Sequence, residues 1–410
     1  MRKHLFSLFL LSLVSFGLEA QEKDIIQSAM DGSFFQFPQI RESVCKMRNF
    51  FPTKSVAPSN GRRYEFTTRI DKRIDDITFQ TLDGKTMTWK ESLDSVYADG
   101  VIILHRGRIV YEKYFAHMNE EKHHALMSVS KTFTGTLGAI LVAEGVLDEN
   151  RRVSEYVPEM ASSAFGDATV RELLDMTTAL KYSEDYDDPK AEVWTFSAAG
   201  TPYPRPKTYK GPIGYHQYIE TVKKEGEHGK IFAYKTINTD ALAWVITRVT
   251  GKSLSDLLSE KIWKKIGSHY EAYYQIDATG TEFAGGGLNA NLRDVAAFGQ
   301  MMLDKGRFMG EQIIPQQVYY DIINNSDSEK FDKAHYPQLK GWAYRNMWWC
   351  TKNRDNAFCA RGVHGQCIYV NPAAEVVIVR IASHPVAANA ANDRYSLPAY
   401  QAVADYFRNK

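Results

Sequence analysis

A chain of 410 residues, 44% hydrophobic and 24% charged, can bury a large core and has the make-up of an ordinary globular enzyme rather than a disordered or fibrous chain. Its 50 basic and 49 acidic residues nearly cancel, a balance that gives no electrostatic footing for nucleic acid or an anionic membrane.

Residues 1–20 read as a signal peptide: Arg2 and Lys3, an apolar run over 5–18, then Ala20 before Gln21. The run is short for a membrane span and no other long one follows. The expectation is an exported protein, periplasmic or extracellular, with no integral membrane segment after cleavage. Residues 21–79 form a weakly periodic, irregular N-terminal arm, and 80–410 form the main domain. Within the arm, Ser43 and Lys46 sit in a polar segment where both side chains would be solvated.

Residues 101–104 and 109–115 read as two strands around a turn that contains Gly107. Residues 366–370 and 375–382 flank Asn371-Pro372-Ala373-Ala374 as a second hairpin. Between them, helical spacing runs over 129–144, 169–176, 213–225, 239–249, 254–265, 291–304 and 315–324. Strands from both ends with helices between them predict an α+β fold: one antiparallel sheet built from the terminal hairpins, flanked by helices, with a mostly helical domain (roughly 145–285) inserted. Residues 181–212 carry five prolines and several aromatics, which predicts a long ordered loop of the functional kind. Cys45, Cys350, Cys359 and Cys367 match no common zinc spacing. A cross-strand disulfide between Cys350 and Cys359 and free buried thiols both fit.

The chemistry concentrates at Ser128-Val129-Ser130-Lys131, where the long apolar helix begins. Ser128 and Lys131 lie one turn apart on one face. A serine hydroxyl becomes a good nucleophile when a neighbouring base takes its proton, and an uncharged lysine is such a base. A capping box would place Glu or Gln at position 131; a lysine there opposes the helix dipole, and burial with that dipole favours the neutral amine. The residues alone leave a plain N-cap and a catalytic pair both open.

Three ordered stretches widen the view: residues 100–116, 127–148 and 170–180. Together they resemble the serine β-lactamase-related hydrolases with the class C β-lactamase fold, and within them the 6-aminohexanoate-dimer (nylon-oligomer) hydrolase group. The resemblance covers roughly residues 80–410. It implies hydrolysis of a small-molecule amide or ester through an acyl-enzyme on Ser128, with no metal or organic cofactor. Lys131 would be the base and Tyr234, flanked by Lys131 and therefore easier to ionise, the proton shuttle. The backbone N–H groups of Ser128 and Val363 would bind the oxyanion. Gly362, Tyr186 and Trp348 would contact substrate, with Trp349 the alternative by strand alternation.

The departures from the β-lactamase pattern also matter. Position 236 is Thr where Tyr-x-Asn would place Asn, and Lys-Thr-Gly is absent, replaced by Ala360-Arg361-Gly362-Val363-His364-Gly365. Arg361 is the one candidate to replace the missing cation. His364 reads as a polar neighbour of the turn, and Phe283-Ala284-Gly285-Gly286-Gly287-Leu288 as structural support behind the cleft. These departures predict poor β-lactam hydrolysis. The competing expectations are a penicillin-binding sensor or peptidoglycan-related binding protein with little turnover, and a β-lactamase or D-alanyl-D-alanine peptidase proper.

Overall fold

The computed structural model describes residues 24–408 and 410, so the signal-peptide reading of 1–20 lies outside the described residues. The main sheet has eight strands. They are β1 (Thr67–Thr68), β2 (Ala98–His105), β3 (Arg108–Tyr114), β4 (Ala343–Arg345), β5 (Trp348–Cys350), β6 (Phe358–Gly362), β7 (Gln366–Asn371) and β8 (Val376–Ala382). Their order is β4-β5-β6-β7-β8-β2-β3-β1, and every pairing is antiparallel except the short β1 edge. β8 of the C-terminal hairpin therefore lies against β2 of the N-terminal one, with Val379 opposite Ile102. The two hairpins share one sheet, as the sequence predicts. Arg106 and Gly107 both adopt positive φ (51° and 71°), the backbone that a two-residue hairpin turn requires.

Every residue of β7 and β8 is buried, because helices cover both faces of the sheet. The helices that matter for the site are α1 (Val129–Ala143), α2 (Ile237–Thr250), α3 (Leu292–Leu303) and α4 (Ala390–Arg408). Strand alternation sends Ile368 toward Gly299 of α3 on one face and Tyr369 against Tyr400 of α4 on the other. α1 is apolar on almost every side, as its sequence indicates, and residues Val129 through Leu141 are all buried. Helices also form at Val170–Leu174, Tyr215–Thr221, Leu254–Leu258 and Gln316–Asn324, each inside a stretch with helical spacing.

Three expectations need correction and one open choice is decided. The arm over 21–79 is partly regular: strand Thr53–Val56 pairs with Ala272–Gln275, and Phe34, Ile40, Val44 and Met47 bury against Ala125, Met127 and Tyr273. Ser43 is buried with its Oγ donating to the Phe34 carbonyl at 2.5 Å, while Lys46 stays exposed beside Glu42. The 181–212 segment is not all loop: Glu192–Gly200 is helical because Val193, Phe196 and Ala199 form an apolar face, with Phe196 packed on Tyr215 and Tyr218. The four cysteines are free. Cys350 faces Phe358 across the ladder while Cys359 faces Trp349, so the two thiols leave opposite faces of the sheet and cannot bridge. No helix of the described residues is long and apolar enough to cross a membrane.

Candidate active site

The turn before α1 is held from two sides. Met127 adopts φ 49°, a costly backbone for a side chain of that size. It is fixed there by Ser130, whose Oγ donates to the Met127 carbonyl at 2.6 Å and accepts the Leu288 N–H at 3.0 Å. Leu126 N–H adds a bond to the Leu288 carbonyl at 2.9 Å. Ser128 is thereby presented, half-buried, as the N-cap residue of α1, and its side chain makes no capping bond. Its Oγ instead accepts from Lys131 Nζ at 2.8 Å. The Ser128 side chain thus does not act as a cap.

Lys131 is 1% exposed, and Nζ donates a second bond to the Gly285 carbonyl at 2.5 Å. Burial pushes its pKa down to about 8, against the opposing pull of the Glu184 and Asp240 carboxylates. The Tyr234 ring centre lies 5.2 Å from Nζ. Burial, reinforced by the Glu184 charge, moves the Tyr234 phenol well above its ordinary range. That reverses the expectation of an easily ionised tyrosine, because desolvation outweighs the nearby amine. At neutral pH Tyr234 is a protonated phenol.

Ser128, Tyr234, Tyr186, Gly362 and Val363 open onto one cavity of about 490 Å³. β6 ends at Gly362, where a Cβ would meet the Leu126 carbonyl at 2.8 Å and Ser128 N at 3.1 Å, so only glycine lets this strand close on the start of α1. Among the described residues neither Ser128 N–H nor Val363 N–H is given to a protein acceptor. Val363 rests on the Phe34 cluster of the arm, which buttresses this wall from behind.

Trp348 is not at the cavity. It is 0% exposed, stacked on Phe298 of α3 with its indole N–H toward Thr136 Oγ1 at 3.2 Å. Alternation along β5 sends Trp349 to the cavity instead, 5.3 Å from the Tyr234 ring. Arg361 also lines the cavity and stacks over Trp349 at 5.0 Å, yet its Nη2 is bound to Asp393 at 2.5 Å. Its charge is thus already paired. His364 turns away, its Nδ1 2.7 Å from the His384 carbonyl and its ring stacked on Phe35.

Tyr186 is half-buried, and its hydroxyl donates to Glu184 at 2.8 Å. Glu184 also accepts the backbone N–H and the hydroxyl of Thr236, each at 2.5 Å. The loop is thereby tied to the N-terminus of α2, which starts at Ile237 with Thr236 as its cap, two residues ahead of the helical spacing over 239–249. Glu184, Asp240 and Asp393 line or support the site and were not singled out by sequence reasoning, while Gly285 was read only as part of the support behind the cleft. The signal for Asp240 was present: a lone carboxylate followed by Ala241-Leu242-Ala243-Trp244-Val245-Ile246.

Comparison with known proteins identifies the family. The sequence model of the beta-lactamase family matches residues 91–401. The 6-aminohexanoate-dimer hydrolase of Paenarthrobacter ureafaciens is 34% identical over 298 residues, which cover 72% of this chain and 75% of that protein. A Bacillus anthracis structure provisionally named a 6-aminohexanoate-dimer hydrolase is 32% identical with a TM-score of 0.83, covering 92% of this chain and 96% of its own. EstCE1, a hydrolase with promiscuous acyltransferase activity, shares the fold at 16% identity, TM-score 0.60, over 81% of this chain and 98% of its own.

Proposed function

Because the chain belongs to the beta-lactamase family and is a serine hydrolase, we propose that it cleaves a small amide or ester through an acyl-enzyme on Ser128, with Lys131 as the base and Tyr234 as the proton shuttle. The observation that carries this reading is the 2.8 Å contact between a desolvated Lys131 amine and the Ser128 hydroxyl at the cavity. The neutral amine takes the hydroxyl proton as Oγ attacks the substrate carbonyl. The N–H groups of Ser128 and Val363 receive the developing oxyanion, each worth about 3 kcal/mol of barrier. Lys131, now an ammonium, returns its proton through the protonated Tyr234 phenol to the leaving amine or alcohol. Water then repeats the sequence on the acyl-enzyme, and the hydroxyl of Ser128 is restored.

Trp349, Tyr186 and Gly362 form the substrate wall in this reading. The name of the Paenarthrobacter relative makes a linear aminohexanoate dimer one substrate to try. The pairing of Arg361 with Asp393 leaves little positive charge for a β-lactam carboxylate, so β-lactams should be poor substrates. Arg2, Lys3 and the apolar run behind them support export, which N-terminal sequencing of the protein secreted from its host would test.

The test is a panel of chromogenic esters, linear amides and β-lactams, together with a fluorophosphonate read by intact mass. Wild type should turn over esters or amides and gain one adduct; Ser128→Ala should do neither. Equal labelling of the two proteins, or efficient turnover of penicillins with none of the other substrates, would overturn the reading.

A further inference from the structure

Asp240 is buried in α2, and the sequence of bonds behind Lys131 leads to it. Lys131 Nζ donates to the Gly285 carbonyl at 2.5 Å, and the Gly285 N–H donates to Asp240 Oδ1 at 3.2 Å. Gly285 therefore touches the base through its carbonyl and a carboxylate through its N–H, on the two peptide units that flank its Cα. The seat is closed: a Cβ on Gly285 would lie 2.4 Å from Thr236 Cγ2 and 2.8 Å from Asp240 Oδ2. Oδ2 itself is buried and has no hydrogen-bond partner among the described residues. A buried carboxylate with an unmatched oxygen is expensive and persists where something else needs it.

We propose that Asp240 is a positioning residue for the base, fixing Lys131 through Gly285 and standing as the buried carboxylate behind that amine. The proposal rests on Lys131 acting on Ser128. Two anions bear on the amine: Glu184 from the loop side, spent on Thr236 and Tyr186, and Asp240 from the α2 side. Tyr234 flanks Nζ, and Tyr182, Tyr215 and Tyr274 are the other titratable groups that feel Asp240. Burial moves all four phenols upward, so none carries charge in the neutral range. Burial also raises the Asp240 carboxyl, and the Lys131 ammonium opposes that rise. Each group of the pair thus holds the other in its charged form, and deprotonating the amine weakens the hold on the carboxylate.

The experiment is the pH profile of Ser128 acylation by a fluorophosphonate in Asp240→Asn. Asparagine keeps an acceptor for the Gly285 N–H while it removes the charge and puts an NH2 donor where Oδ2 stood. Lys131 should then deprotonate at lower pH, moving the acidic limb down by about one unit and raising the ratio of rates at about pH 6.5 to about pH 9 as much as tenfold. A limb that stays in place while the plateau falls would mean Asp240 is structural, and would overturn the proposal. Should Asp240→Asn fail to fold, infrared spectra decide the matter in Lys131→Met. With the cation gone, a protonated-carboxyl stretch should appear at neutral pH, assigned by isotope-labelled aspartate. Its absence would overturn the proposal. If Lys131→Met acylates as fast as wild type, the base reading itself has failed, a result separate from either of these.

Discussion

Gly362→Ala tests how closely β6 must approach the start of α1. The new Cβ would stand 2.8 Å from the Leu126 carbonyl and 3.1 Å from Ser128 N, both backbone atoms. Leu126 cannot retreat cheaply, since its N–H is tied to Leu288 at 2.9 Å. The strand end must move instead, by a few tenths of an ångström, taking Val363 N–H with it. Overpacking of this kind costs about 1–3 kcal/mol, which a core of this size tolerates. Losing one oxyanion donor outright costs roughly 100- to 1,000-fold in rate, so a displaced donor should cost about 100-fold. The assay is the second-order rate of fluorophosphonate acylation followed by intact mass, with Tm from circular dichroism beside it. A folded variant within about threefold of wild type would refute the assignment of Val363 N–H to the oxyanion.

Lys131→Ala should slow acylation by about 100- to 10,000-fold, the range for loss of a general base, and Lys131→Arg should not rescue it because arginine stays protonated. Tyr234→Phe removes only a hydroxyl and should leave Tm near wild type while turnover of amide substrates falls; full activity would remove Tyr234 from the proton path. Trp349→Ala should raise KM, and because its ring is buried among Phe232, Phe331 and Tyr344 it should also cost about 3 kcal/mol of stability. By contrast Trp348→Ala, which empties a fully buried site stacked on Phe298, should lower stability by about 3–5 kcal/mol and leave the kinetics of the folded fraction unchanged.

The two terminal hairpins and the central helices were legible because their signals are local: strand alternation, turn residues and helical spacing. The α4 helix was harder, since Pro398 and a polar first half mask its apolar face, although Tyr395, Ala399, Tyr400, Val403, Ala404 and Phe407 recur at helical spacing. Ser128 and Lys131 could be paired from sequence because one helical turn fixes their distance. Trp348 and Trp349 could not be separated, because alternation names two faces without saying which one meets the cavity. The partners of Glu184 and Asp240 were hidden for a different reason. Each carboxylate acts across 45 or more residues of chain, on Thr236 and Gly285 respectively, and only the folded topology brings those pairs together.

The pH dependence of Ser128 acylation in the unmodified protein addresses the amine-to-hydroxyl proton transfer most directly. The rate should climb through a single ionisation near pH 8, well below that of a free lysine, and the climb should vanish in Lys131→Met. A profile that is flat across this range, or a climb that persists without Lys131, would contradict the assignment of the base.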